Sequence, residues 1–161
     1  MATIILLVGL LAIQAPVEDP KPVVVKLAGI KCVVSGKQTT QKYHADHKRG
    51  KVYFDCNASR IAFQADKRQF GTKANHQLVV TKQYIQTKCP ISKNRISAED
   101  SFTASVAGVS IRFCCQECKT SFLEQYKSPA QIEALFAQSN FHSFFAPRPK
   151  VTKRSTDKSV R

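Results

Sequence analysis

Short segments with two different hydrophobic periods recur along this chain. Residues 51–54 and 109–113 alternate polar and apolar side chains, as half-buried β-strands do. Each stretch leads directly into a segment with apolar residues at helical spacing. In the second segment this apolar stripe consists of Cys115, Cys118, Phe122 and Tyr126. The pattern predicts an α+β fold built from small β-hairpin-plus-helix units.

The two units match each other along the sequence, which indicates a repeated module. Residues 30–37 align with 87–94, and residues 51–63 align with 110–122. The alignment pairs Cys32 with Cys89, Cys56 with Cys115, Phe54 with Phe113 and Phe63 with Phe122. We therefore expect two zinc-ribbon-like or treble-clef-like modules, at 30–70 and 87–127, that pack together as one domain.

Further elements are predicted around these modules. Asn57 is the expected N-cap of the helix in the first module. Residues 71–86 are too apolar for a flexible linker, so we expect a connecting strand there that joins the two small sheets. Ser128, with Gln131 three residues later, predicts a capping box and a C-terminal helix within 128–147. An open side of the core would be covered by Phe141, Phe144 and Phe145.

The two ends of the chain have different compositions. Residues 1–15 contain an uncharged apolar run that is too short to span a membrane and is typical of a secretory signal peptide. We therefore expect a periplasmic or secreted protein with no stable transmembrane span after cleavage. Residues 148–161 hold six basic residues, one acidic residue and no aromatic residue, which predicts a disordered basic tail.

Composition and charge narrow the classes of function. The chain has 161 residues, 43% of them hydrophobic, and a formal net charge of +14, as expected of a basic globular protein. The basic tail is suited to binding another exported protein or an anionic surface. Nucleic acid is not the expected partner, because the sequence shows neither a recognition helix nor an aromatic platform. We expect no enzymatic activity, since no phosphate-binding loop or known hydrolase motif occurs.

Six cysteines carry the candidate chemistry. Cys114 and Cys118 are one helical turn apart, so one metal ion at the start of the helix would contact two thiolates. The helix N-terminus stabilises the ionised form of such thiols. Cys89, in the loop before the strand, is the third candidate ligand, and Cys115 or an outside group is the fourth. Three or four sulfur ligands suit Zn(II) or Cu(I).

A known type of metal-binding module has a similar pattern. Cys89-Pro90-Ile91-Ser92, followed by the stretch from Gly108 to Phe122, resembles YHS and TRASH-type modules. These are small β-hairpin-plus-helix units that present one cysteine, a gap, and then two cysteines separated by three residues. The resemblance implies copper or zinc binding, with Cys89, Cys114 and Cys118 as ligands by position. The duplicated arrangement also resembles exported proteins of planctomycete-type bacteria.

The first module departs from this pattern. Asp55 and Ser59 stand where the second module has two of its candidate ligand cysteines, so that only Cys32 and Cys56 remain. A metal site there would need additional ligands, for which the candidates are His44, His47 and Asp55. In an oxidising compartment we expect Cys32 and Cys56 to form a disulfide bond instead.

Three interpretations of the cysteines stay open at this stage. The first is an exported small protein that binds Zn or Cu through its second module. The second is a disulfide-stabilised extracytoplasmic structural or interaction protein without bound metal, in which Cys89 pairs with Cys115. The third is a thiol redox protein, for which the Cys-x-x-Cys spacing of Cys115 and Cys118 is the indication.

Overall fold

The computed structural model describes residues 25–97 and 102–149, which form six short strands and five helices. In chain order these are β1 (Thr40–His47), β2 (Gly50–Phe54), α1 (Asn57–Ala65), α2 (Gly71–Val80), β3 (Tyr84–Gln86), β4 (Phe102–Val106), β5 (Val109–Phe113), α3 (Gln116–Gln125), α4 (Pro129–Ala134), α5 (Gln138–Phe144) and β6 (Phe145–Pro147). The mixed α+β class is confirmed. The predicted signal peptide, and all but the first two residues of the predicted tail, lie outside the described residues.

The strands form three separate antiparallel pairs, β1 with β2, β4 with β5, and β3 with β6. The β4–β5 turn uses Ala107 and Gly108, whose φ angles are 48° and 76°. Positive φ at both central residues gives a tight hairpin whose twist matches that of its strands. An isolated two-stranded hairpin is marginally stable in water, so these pairs depend on the helices packed against them.

Segments 30–70 and 87–127 have the same order of elements: a tight turn around a cysteine, a hairpin and a helix. We call this turn the knuckle, at residues 30–39 in the first segment and 87–96 in the second. The amide of Cys32 donates to the carbonyl of Lys37 at 2.7 Å, and the amide of Cys89 donates to that of Asn94 at 2.8 Å. Isolated β-bridges close both knuckles at equivalent positions, Lys31 with Gln38 and Lys88 with Arg95.

Each hairpin packs on its helix through a pair of phenylalanines. The ring centroids of Phe54 and Phe63 are 5.3 Å apart, and those of Phe113 and Phe122 are 5.0 Å apart. All four rings are fully buried. They belong to one hydrophobic cluster that also contains side chains of α2 and of the C-terminal region. The expected burial of Phe141, Phe144 and Phe145 is confirmed.

The prediction of a connecting strand at 71–86 was wrong for most of that segment. Gly71–Val80 is the helix α2, and only Tyr84–Gln86 is a strand, which pairs with β6 rather than joining the two hairpins. The β-branched residues near the end of α2 favour a strand locally. The helix forms because Ala74 and Leu78, one turn apart, are both completely buried in the core.

The predicted start of α1 is corrected by one residue. Cys56, with extended φ and ψ of −148° and 169°, is the N-cap, and Asn57 is the first helical residue. The buried face of α1 is formed by Ser59 and Phe63, whereas Ile61 is 53% exposed. Phe63 lies in the core because its ring packs against Phe54 of β2.

The start of the C-terminal region matches the prediction from the sequence, but the rest of the region differs from it. The capping box between Ser128 and Gln131 is present, and Pro129 is the first residue of α4. The region then contains a second helix, α5, and the strand β6, where a single helix was expected. The chain leaves α4 because Leu135 and Phe136 turn into the core and are almost fully buried.

Glutamine side chains occupy the free edges of two strands. The amide group of Gln77 accepts from the backbone N–H of Tyr53 at 2.6 Å and donates to its carbonyl at 3.0 Å. Gln83 makes the same pair of bonds with Lys51, at 2.7 and 2.8 Å. Gln86 does so with Arg112 of β5, at 2.8 and 2.9 Å. Each side chain therefore satisfies the backbone groups that a further strand would pair with.

Candidate metal centre

Three cysteine sulfurs converge where the second knuckle meets the start of α3. The Sγ atoms of Cys89, Cys114 and Cys118 all lie within 4.8 Å of one another, and those of Cys114 and Cys118 are 3.7 Å apart. Two sulfurs bound to one tetrahedral zinc ion at about 2.3 Å are about 3.8 Å apart. The triad therefore needs to contract by at most about 1 Å to hold an ion.

Each ligand candidate comes from a different element. Cys89 lies at the centre of the knuckle and is completely buried, whereas Cys114 and Cys118 are half-buried. Cys114 directly follows β5, and Cys118 is in the first turn of α3. The knuckle, the hairpin and the helix thus each supply one sulfur, and the structure brings together the three cysteines that the sequence indicated.

Cys115 has a different position. Its Sγ accepts a hydrogen bond from the backbone N–H of Cys118 at 3.4 Å and caps α3. Its φ and ψ, −155° and 168°, are those of an extended N-cap residue. It is not among the three mutually close sulfurs. The thiol at the helix start therefore positions the first turn that carries Cys118.

Two of these thiols, Cys89 and Cys118, differ in acidity. Burial alone would raise the pKa of Cys89, but hydrogen bonds from the backbone of Cys114 and from the backbone and hydroxyl of Ser92 lower it to about 7. Hydrogen bonding to Cys115, burial and the neighbouring sulfurs raise the pKa of Cys118 to about 12. Cys89 therefore ionises far more readily than Cys118, which must lose its proton when a metal binds.

Ser92 is the site residue that the sequence reading did not single out. Its Oγ is 3.2 Å from the Cys114 Sγ, and it also accepts from the Asn94 amide at 3.3 Å. The available signal was its alignment with Ser35 of the first knuckle. A hydroxyl in both knuckles indicates a shared hydrogen-bonding role beside the cysteine.

The equivalent place in the first module holds a carboxylate. Hydrogen bonds from the side chains of Cys32, Ser59 and Ser35 hold the pKa of Asp55 well below its usual range. One carboxylate oxygen, Oδ1, is buried without a close hydrogen-bond partner among the described residues. The first module thus places an anion at the position where the second module has the Cys114 sulfur.

No disulfide bond links any of the six cysteines, all of which are described and free. The expected bond between Cys32 and Cys56, and its counterpart between Cys89 and Cys115, are therefore absent from the structure. The two thiols of the first module have separate partners, because Cys32 faces Asp55 whereas the Cys56 Sγ lies 3.4 Å from the Ser59 Oγ.

The histidines considered for the first module also have other partners. The His47 Nε2 lies 2.9 Å from the Asn75 Oδ1, and the His44 Nδ1 lies 3.2 Å from the Gln41 carbonyl. Burial lowers the pKa of His47, only partly offset by Asn75. Among the described residues, the only group of three or more metal-binding side chains is the cysteine triad of the second module.

The chain has no significant match to a family model, a curated protein or a solved structure. Within residues 25–97 and 102–149, none of the helices combines the length and the apolar character needed to cross a bilayer.

Proposed function

We propose that this protein binds one soft metal ion, Zn(II) or Cu(I), through Cys89, Cys114 and Cys118. The observation that carries the proposal is the convergence of three sulfurs from three separate elements to within 4.8 Å. Thiolates select Zn(II), Cu(I) and other soft ions over Mg²⁺ and Ca²⁺, which prefer oxygen. Zn(II) would use a fourth ligand, water or a group from a partner, because its protein sites hold at least four ligands.

The similarity of the two segments supports a duplicated origin. Their knuckle, hairpin and helix follow in the same order, and Gly36 and Lys93 have positive φ, 73° and 63°, at equivalent places. We infer that both are YHS/TRASH-like modules and that the second alone keeps the full ligand set. The apolar run in residues 1–15 supports export to the periplasm or beyond, where the basic tail would meet anionic surfaces.

A thiol redox function is the second candidate. It is favoured by the 3.7 Å separation of the Cys114 and Cys118 sulfurs, which a modest movement would bring to bonding distance. Oxidation would release two electrons and two protons to an acceptor such as a peroxide or another disulfide. Metal binding and disulfide formation use the same two sulfurs, so each excludes the other.

The test is metal analysis and thiol counting on the same sample of the full chain, purified under reducing conditions. We expect one equivalent of metal in the wild type and loss of most of it in Cys118→Ser. Cys115→Ser is the matched control, because serine preserves the N-cap and leaves the triad intact. Unchanged metal content in Cys118→Ser would contradict the proposal. Metal-free wild type with a reversible loss of two thiols on oxidation would favour the redox candidate.

A further inference from the structure

A basic cavity lies apart from the cysteine triad. It has a volume of about 440 Å³ and is lined by Lys48, Arg49, Tyr84, His142 and Pro147. The two cations come from the β1–β2 turn, the tyrosine and proline come from the β3–β6 pair, and the histidine comes from α5. None of these residues belongs to the candidate metal centre. The cavity is within the size range of small-ligand sites.

Lys48 is held in place by three side chains of α5. Its Nζ donates to the Gln138 Oε1 at 2.8 Å, lies 2.8 Å from the His142 Nε2, and stands 5.3 Å from the centre of the Phe141 ring. An ammonium group has three N–H donors, and these partners use two of them. Partial burial lowers the pKa of Lys48. The third donor and the charge remain available to a ligand.

Arg49 and Tyr84 add further unused donors. The backbone N–H of Arg49 donates to the Tyr84 Oη at 3.2 Å, which fixes the phenol beside the turn. The Arg49 side chain is exposed, and within the described part of the chain its guanidinium has no hydrogen-bond or ion-pair partner. The Tyr84 hydroxyl accepts this bond and retains its own proton for donation.

No carboxylate lines the cavity, and none among the described residues pairs with either of its cations. In a chain with a formal net charge of +14, a concave site of this kind concentrates small anions. A guanidinium fork beside an ammonium group matches the several oxygens of a tetrahedral oxyanion.

We propose that this cavity binds the phosphate group of a small ligand. Arg49 and Lys48 contact the phosphate oxygens, and Tyr84 donates a further hydrogen bond. Free phosphate and a phosphate monoester share this chemistry. The volume leaves room beside the phosphate for the rest of an esterified ligand against Pro147.

The experiment is calorimetric titration of the full chain with inorganic phosphate and with glycerol phosphate at near-physiological salt. Arg49→Gln is the main variant, since its exposed side chain contributes no buried packing. Lys48→Asn is the second variant, because asparagine tolerates the φ of 54° at this position. Lys51→Gln, a nearby exposed lysine that does not line the cavity, is the charge-matched control.

We expect saturable binding that Arg49→Gln and Lys48→Asn each weaken on the order of tenfold, as loss of one charged hydrogen bond does. Lys51→Gln should change the affinity by less than about twofold, as expected of a screened surface charge. Tighter binding of glycerol phosphate would identify an esterified ligand, and equal affinities would identify free phosphate as sufficient. Equal weakening by all three variants, or saturable binding of neither probe, would overturn the proposal.

Discussion

At the scale of single residues, segments 30–70 and 87–127 differ in the group that follows their second hairpin strand. Cys114 donates its backbone N–H to the knuckle residue Cys89 and shares a hydrogen bond with Ser92, whereas Asp55 accepts hydrogen bonds from Cys32 and Ser35. A carboxylate that is hydrogen-bonded by a thiol and hydroxyls needs no metal to be stabilised. The first module can therefore keep the same local geometry without an ion.

The double substitution Asp55→Cys with Ser59→Cys should create a second metal site. It restores the sulfur positions that align with Cys114 and Cys118, next to the buried Cys32. We expect metal content to rise from one to about two equivalents, as a completed set of three thiols predicts. Adding Cys32→Ser should remove only the gained ion. A double variant that folds and still binds one equivalent would show that the two backbones are not equivalent.

Asp55 should also make stability depend on pH in the acid range. Hydrogen bonds, of which the one from Cys32 has the largest effect, lower the pKa of Asp55 in the folded state below its unfolded value of about 3.9. The ionised carboxylate of Asp55 therefore adds to the free energy of unfolding above about pH 4. This stabilisation is lost as the pH falls toward the folded-state pKa. Urea denaturation between pH 7 and pH 2.5 should show that the free energy of unfolding falls more steeply for the wild type than for Asp55→Asn. Parallel declines would mean that other carboxyl groups cause the acid sensitivity.

At the scale of elements, the sequence predicted what local signals specify. The capping box at Ser128 and the apolar stripe ending in Phe122 and Tyr126 depend on neighbours three or four residues away, and the structure contains both. The helix α2 was missed because two of its buried side chains, Asn75 and Gln77, are polar and look like a solvent-facing surface in the sequence. Their partners lie far along the chain and cannot be read from the local pattern.

Gln77→Ala should be far more destabilising than Gln83→Ala. Both side chains pair with β2, but the bonds of Gln77 to Tyr53 are buried, whereas those of Gln83 to Lys51 are exposed. Losing Gln77 leaves two buried backbone groups unpaired, which costs about 2–4 kcal/mol, while water replaces Gln83 at a cost below about 1 kcal/mol. Urea denaturation of both variants measures the difference. Equal losses would show that burial does not decide the effect.

At the scale of the whole molecule, α2 connects the two segments. Asn75 donates to the Phe136 carbonyl at 2.8 Å, and the His76 Nε2 lies 2.8 Å from the carbonyl of Ala107 in the β4–β5 turn. Leu78 is packed so closely that a Cβ at Gly50 would lie 2.7 Å from its Cδ2. The first hairpin, the second hairpin and the C-terminal region thus all rest on one helix.

Unfolding should accordingly occur as one cooperative transition. Each segment has only about 40 residues, near the size below which a domain needs a metal, disulfides or a partner to fold alone. Thermal denaturation followed by calorimetry and by circular dichroism should give coincident transitions. Metal at a concentration one hundred times its dissociation constant should raise the free energy of unfolding of the whole molecule by about 2.7 kcal/mol. Two separate transitions, with only the second shifted by metal, would indicate independent modules.

The glutamine side chains on β2 and β5 have a consequence for self-association. An open strand edge is a template onto which another copy can add a strand, the first step toward intermolecular sheets and fibrils. Gln77, Gln83 and Gln86 occupy these edges with amide groups that end the hydrogen-bonding ladder instead of extending it. Strand addition between copies is thereby disfavoured at β2 and β5.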